Sequence, residues 1–482
     1  MDWPLLFALD RAASSPLFAQ LANAVADGVR RGRLRPGEDL PGSRTLAKSL
    51  GVHRNTVVAA YRELESQGWV EVHARRTLVA TRLPSTKRIQ VSRALASRTG
   101  FSVDRVRIRR SLRCEVPFDL GGGLPDPRVV PRKLLARALG RVVRQPGSRT
   151  LEYGDPRGHP RLREQVATML ARTRGLTVQA QDILITRGSQ MALALVARAL
   201  LRPGDEVAVE RLGYAPAWDA FEHAGATLRG IDVDDAGLVV EQLEGTSPRA
   251  VYLTPHHQYP TTVTLDASRR LHLLTWAAKE RVAVIEDDYD SEYHYDAQPV
   301  HPLAAHDPRG VVVYIGTLSK VLAPGIRIGW VVAPPNLQAA LLGLRTTLDG
   351  QGSLAFEAAV ADLLEDREVQ RHIWRTRRLY AERRDALCDA LRRRLRGALE
   401  FSVPAGGLAL WAAVTAGVSA DQWAEQALER GVRVSPGRCF TLERRAAPNL
   451  RIGFARHTPD ELCSAVEHLV STCPASGSKT SR

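Results

Sequence analysis

The chain reads as an α/β protein with a small winged helix-turn-helix module at its amino end and a large domain on a mostly parallel sheet. Three observations predict this. Apolar residues recur every third or fourth position in three short stretches before residue 68, each closed by glycine. From Asp119 onward short apolar runs alternate with helical patterns, as in sheets covered on both faces. The positive charge is concentrated ahead of residue 114. At 482 residues and 44% hydrophobic, the chain can bury the cores of two or three domains.

Leu17, Leu21, Val25 and Val29 form the stripe of a first amphipathic helix, which Gly32 and Pro36 end. After Leu40-Pro41-Gly42, Ser43 is placed to cap a second helix through Leu46, Ala47 and Leu50, and Gly51 supplies the left-handed stop. A third helix opens at Asn55 or Thr56, turns Val57, Val58, Tyr61 and Leu64 inward and closes at Gly68. Two helices on a short glycine turn make a helix-turn-helix. Ser43 and Arg44, with His53, Arg54, Asn55 and Thr56 at the start of the third helix, stand where a recognition helix meets phosphates and base edges. Trp69–Val72 and Thr77–Ala80 predict a wing with Arg75 and Arg76 at its tip. By pattern alone such a triplet serves protein interaction as readily as DNA reading.

Residues 81–113 hold 10 Lys/Arg against 1 Asp/Glu, and residues 1–80 hold 11 against 8, so most of the net charge of +15 precedes residue 114. A basic end on a nearly balanced body suits a polyanion such as double-stranded DNA. Residues 81–116 show neither period and read as an interdomain linker. The resulting organisation is a module over 14–80, the linker, a large domain over 117–472 and a disordered tail over 473–482.

In the large domain five apolar runs each lead into a polar cluster. Ile183–Ile185 leads to Gly188-Ser189-Gln190, Val207–Val209 to Tyr214, Val251–Leu253 to His257-Gln258-Tyr259-Pro260, Val282–Ile285 to Glu286-Asp287-Asp288-Tyr289, and Val311–Ile315 to Ser319-Lys320. Ligands of open α/β sheets bind outside the carboxyl ends of strands, so the five clusters define one site. An amine held at the end of a buried strand is what an aldehyde cofactor needs to form an imine, which points to pyridoxal phosphate on Lys320. Free N–H groups at Gly188, Ser189 and Gln190, opening an apolar helix, form an anion site for the phosphate. Asp287 can keep the pyridine nitrogen protonated, Tyr289 can hydrogen-bond the ring oxygen, and Tyr214 can stack on the ring face. Arg451, within Asn449–Phe454, carries a planar fork on a strand, suited either to a bound carboxylate or to a structural salt bridge.

The motif Gly316-Thr-Leu-Ser-Lys320-Val-Leu-Ala-Pro-Gly325 with Arg327 resembles the cofactor-lysine motif of fold-type I aminotransferases. That resemblance implies that Ser319 and Arg327 hold the phosphate, that Arg451 clasps an effector carboxylate, and that a smaller C-terminal α/β subdomain completes the fold. Tyr153-Gly-Asp-Pro-Arg157-Gly158 is similar to the tyrosine motif by which one aminotransferase subunit reaches its partner's phosphate, implying a homodimer. The stretch Leu40 to Gly68 closely resembles the winged helix of GntR-type repressors, although His73-Ala-Arg75-Arg76 replaces the glycine-rich wing tip of that family.

Together the two parts are identified as a member of the MocR-type regulators. The resemblance implies a head-to-tail homodimer that binds operator DNA and senses an amino compound or a B6 vitamer at the cofactor. A catalytically active aminotransferase with an accessory DNA-binding domain is the alternative, and a colourless DNA-binding scaffold a third. Two departures bear on turnover and effector. Tyr259 replaces the asparagine of catalytic aminotransferases, with Thr262 in place of a glycine, and Pro216 stands where an amino-acid-sensing relative has an arginine. Five scattered cysteines without a Cys-x-x-Cys pair predict neither disulfides nor a zinc site, and the lack of a signal or long apolar run predicts a soluble, cytoplasmic protein without a membrane segment.

Overall fold

The computed structural model describes residues 7, 9–74, 76–83, 115–147, 149–295, 300–415 and 417–474. Its contacts divide the chain into two compact units, 1–105 and 106–482. Arg75 and most of the predicted linker lie outside the described residues, as does the tail from 475 on.

The first unit is built from α1 (Leu17–Arg30), β1 (Asp39–Leu40), α2 (Ser43–Leu50), α3 (Arg54–Ser66), β2 (Val70–Val72) and β3 (Thr77–Val79). Leu21, Val25, Leu46, Val57, Tyr61 and Leu64 share one buried core, while Val58 is only half-buried. Tyr61 Oη donates to Pro41 O at 2.6 Å and so ties α3 to the turn before α2. Gly51 stops α2 in the left-handed region at φ 63°. Two expectations need correction. Gly42 rather than Ser43 is the N-cap of α2, and α3 opens at Arg54 because the His53 ring accepts the Asn55 N–H at 3.2 Å. The wing is a three-stranded sheet in the order β1-β3-β2; two-residue β1 is too short to show a period in sequence.

The second unit holds a seven-stranded sheet. Its strands are β4 (Ile183–Thr186), β5 (Glu206–Glu210), β6 (Thr227–Ile231), β7 (Ala250–Leu253), β8 (Ala283–Asp288), β9 (Val312–Thr317) and β10 (Gly329–Val332). The order is β4-β10-β9-β8-β7-β5-β6, parallel except for β10, which runs antiparallel to both neighbours. The central strands are buried on both faces, which explains their unbroken apolar runs. Helix α4 (Ser189–Leu200) leaves β4, and α5 (Ala215–His223) follows β5. A long helix α6 (Glu368–Arg394) leads into the small subdomain, whose sheet has the order β11 (Leu399–Glu400), β12 (Ala409–Val414), β14 (Asn449–Gly453), β13 (Ser435–Pro436). No helix among the described residues is long and apolar enough to cross a membrane.

Candidate functional site

Strand β9 ends at Thr317, and Lys320 sits on the turn that follows, its Nζ donating to Gly123 O at 3.4 Å. Burial, and then the nearby Arg451, pull the Lys320 amine down to about 8, against the opposing pull of Asp290 and Asp287. About a tenth of such an amine is unprotonated at pH 7, which makes it a competent nucleophile.

Successive side chains on β8 point to opposite faces, so Glu286, Asp287 and Asp288 meet different surroundings. Glu286 accepts the backbone N–H groups of Leu303 at 2.7 Å and Ala304 at 2.9 Å. Asp288 is paired with Arg174 at 2.9 Å and accepts from Tyr314 Oη at 2.6 Å. Asp287 Oδ2 accepts from Tyr252 Oη at 3.0 Å, while its Oδ1 is buried without a partner. Burial pushes the Asp287 carboxyl up to about 7. Tyr289 Oη is likewise buried and unpartnered, as are Nε and Nη1 of Arg451, a residue only 2% exposed. Buried polar groups of native proteins are almost always satisfied, so this set marks a place for a polar ligand.

The opposite end of the site is built from backbone. Gly188 is the N-cap of α4 at φ 78°, and Ser189 is its first residue. A Cβ on Gly188 would stand 2.9 Å from an Arg327 guanidinium nitrogen, so the arginine lies against the opening of α4. Arg327 also donates to Arg187 O. Ser319 Oγ accepts from Thr317 Oγ1 at 2.9 Å. Helix N–H groups, a guanidinium and a hydroxyl suit a phosphate monoester. The Gln190 amide is turned away toward Pro216 O at 2.8 Å, which leaves its backbone N–H as the available group.

Arg451 lies on β14 opposite Trp411, and its guanidinium sits 4.4 Å from the Tyr259 ring centroid. Tyr259 is the hub of an aromatic cluster, with Tyr214 at 5.3 Å, Phe440 at 5.5 Å and Tyr289 at 5.9 Å. Gly123, at φ 52°, passes so close that a Cβ would stand 3.0 Å from both Arg451 Nη atoms. Sequence reasoning missed Gly123, Tyr252 and Phe440. The triplet Gly121-Gly122-Gly123 is a visible signal for a close backbone approach, whereas a tyrosine in an apolar strand and a phenylalanine in a loop carry none.

The structure thus gathers Lys320, Asp287, Tyr289, Tyr214 and Arg451 into one site, with Gly188, Ser189, Ser319 and Arg327 around the opening of α4. Tyr153 stands apart at 98% exposure, on a loop whose Gly154 N–H donates to Gln351. In the first unit Arg44, His53, Arg54 and Asn55 are exposed, Ser43 and Thr56 are half-buried, and Arg54 Nε lies 3.4 Å from Ser43 Oγ. Arg76 is exposed beside the hairpin bond from His73 N–H to its carbonyl.

The class defined by fold and site is a DNA-binding winged helix combined with a pyridoxal phosphate-binding, fold-type I aminotransferase-like domain. Residues 17–79 match the bacterial regulatory proteins of the gntR family, and residues 120–469 match aminotransferase class I and II. The chain is 32% identical over 437 residues to the probable rhizopine catabolism regulatory protein MocR of Rhizobium meliloti, covering 89% of this chain and 88% of that protein. It is 30% identical to the pyridoxine biosynthesis transcriptional regulator PdxR of Corynebacterium glutamicum, covering 81% and 82%. Among solved structures, an archaeal alanine:glyoxylate aminotransferase superposes with a TM-score of 0.70 at 30% identity, over 74% of this chain and 90% of that one. The chain belongs to the MocR-type family, and it is a pyridoxal phosphate-dependent transcriptional regulator.

Proposed function

We propose that Lys320 carries the cofactor covalently and that an amino compound or a B6 vitamer arriving there changes the grip of the winged helix on operator DNA. The observation that carries this reading is the buried trio of Lys320 Nζ, the free Asp287 Oδ1 and the free Tyr289 Oη at the ends of adjacent strands. When bound, pyridoxal phosphate supplies an electrophilic carbonyl carbon and an electron-withdrawing ring.

Asp287 Oδ1 would hold the ring-nitrogen proton, and that cation would in turn relieve the cost of its burial. Tyr289 would donate to the ring oxygen, and Tyr214 would cover a ring face. The N–H groups of Gly188, Ser189 and Gln190, with Ser319 and Arg327, would hold the phosphate. Arg451 would clasp the effector's carboxylate at two points, drawing the small subdomain, with Gly406 and Gly407, toward the site. Affinity for effector and for DNA would then be reciprocally coupled.

On the DNA side, Ser43, Arg44, His53, Arg54, Asn55 and Thr56 would meet the major groove, with Arg75 and Arg76 on the wing. This reading keeps the DNA module at 14–80 and the effector domain at 117–472. Tyr153, exposed and adjacent to the anchored Gly154, suits a head-to-tail homodimer in which it reaches the partner's phosphate.

The aminotransferase alternative is disfavoured by Tyr259, whose ring is covered by Arg451 where a catalytic aminotransferase has an amide. Two measurements test the proposal. Lys320→Ala abolishes the visible absorbance of bound cofactor while the winged helix stays folded; a variant that still holds the cofactor covalently overturns the assignment. In the wild type, amines and vitamers screened with and without operator DNA shift the spectrum without sustained conversion of amino donor and keto acid. Sustained conversion would make the protein an enzyme.

A further inference from the structure

The Asp287 carboxylate does not stand alone. Strands β5, β7 and β8 are adjacent and parallel, with Val209, Tyr252 and Ile285 in register across them. Tyr252 is fully buried, packed at 5.5 Å against the Phe221 ring in the core between sheet and helices α4 and α5. Its hydroxyl reaches forward to Asp287 Oδ2 at 3.0 Å. Only Oδ1 is left without a partner. A buried carboxylate with both oxygens free could turn about its Cβ–Cγ bond, whereas one oxygen pinned by a packed phenol fixes the direction of the other.

We infer that Tyr252 is a positioning residue for Asp287: its hydroxyl fixes the carboxylate so that Oδ1 meets the cofactor's ring nitrogen in line. The inference rests on the proposed role of Asp287 and adds a residue that never touches the cofactor. The electrostatics around the pair are consistent with it. Facing Asp287 are Glu210 from β5, Asp288 and Asp290 from its own segment, and Lys320 from the turn beyond β9. Burial pushes Glu210 up to about 8, so it is mostly neutral at pH 7 and adds little repulsion. Asp288 is ion-paired with Arg174, and Asp290 Oδ1 shares a hydrogen bond with His257 Nδ1 at 2.8 Å. The Tyr252 hydroxyl is therefore the direct hydrogen bond that stabilises the charged form of Asp287.

The test is a double-mutant cycle in the full-length protein with pyridoxal phosphate as the probe. Tyr252→Phe removes the hydroxyl and keeps the ring, so the apparent Kd rises roughly tenfold or more, as for loss of one hydrogen bond to a charged group. The pH midpoint of the visible band moves upward, because a less firmly held ring proton withdraws less electron density from the Lys320 nitrogen. In an Asp287→Ala background, which removes both the acceptor and the charge, the same substitution changes Kd less than about twofold. Equal effects of Tyr252→Phe in both backgrounds, or an unmoved midpoint, overturn the inference. Melting of the cofactor-free proteins separates a folding defect, since loss of stability leaves the midpoint of the loaded fraction in place. A wild type with no visible band at all would instead overturn the Lys320 reading.

Discussion

Asp287→Asn isolates the conflict between stability and cofactor binding. In the cofactor-free protein burial raises the Asp287 carboxyl from an ordinary 3.8 to about 7. The folded state therefore holds this proton more tightly than the unfolded chain does, and its contribution to stability is fully present only below about pH 4. It falls as pH rises through the window between the two values and levels off above pH 7. At 1.36 kcal/mol per pH unit the whole window amounts to about 4 kcal/mol, and the two pH units from 5 to 7 to about 3 kcal/mol. Asparagine keeps an acceptor for Tyr252 but does not titrate. Glu210 and Glu286 are raised into the same range, yet they are present in both proteins and largely cancel in the comparison. The assay is thermal melting of both cofactor-free proteins at pH 5, 6, 7 and 8. The variant gains on the wild type by about 3 kcal/mol between pH 5 and pH 8, a shift of several degrees. Pyridoxal phosphate reverses the ranking, because only the carboxylate can hold the ring-nitrogen proton. Parallel pH profiles without cofactor would refute the claim that Asp287 is held at an electrostatic cost.

Other outcomes follow from the same geometry. Gly188→Ala places a Cβ 2.9 Å from the Arg327 guanidinium on a backbone at φ 78°, so the Kd for pyridoxal phosphate rises about tenfold or more, measured by spectral titration. Thr262 adopts φ 67°, unusual for a β-branched residue, and Thr262→Gly raises stability by about 1 kcal/mol, read as a higher melting temperature. Arg54→Ala and Asn55→Ala weaken operator binding in a mobility-shift assay by about 1–3 kcal/mol each while leaving the visible spectrum of bound cofactor unchanged.

The two-part organisation was readable in the chain because periodicity is local. The four-residue stripe of α1, the glycine stop at Gly51 and the five apolar runs all correspond to elements in the structure. The polar clusters were found because parallel strands deliver their following loops to one edge, a rule that needs strand order only in outline. Even so, Glu286, Asp287 and Asp288 proved to belong to β8 itself, since a strand end buried on both faces can carry acids that periodicity reads as loop. The antiparallel β10 was not foreseen, because strand direction is decided by connections across the sheet.

By itself, then, the order of residues determined which side chains are candidates for chemistry: Lys320 on its turn, Asp287 among three acids, Arg451 on a late strand, and the exposed residues at the start of α3. Only the tertiary structure decided which of their atoms remain free. Asp287 keeps one oxygen open because Tyr252, 35 residues earlier, takes the other, and Lys320 faces Gly123 across 197 residues of chain. Such pairings depend on the packing of distant segments and on the burial that makes an unpaired polar atom costly, and no local pattern encodes either.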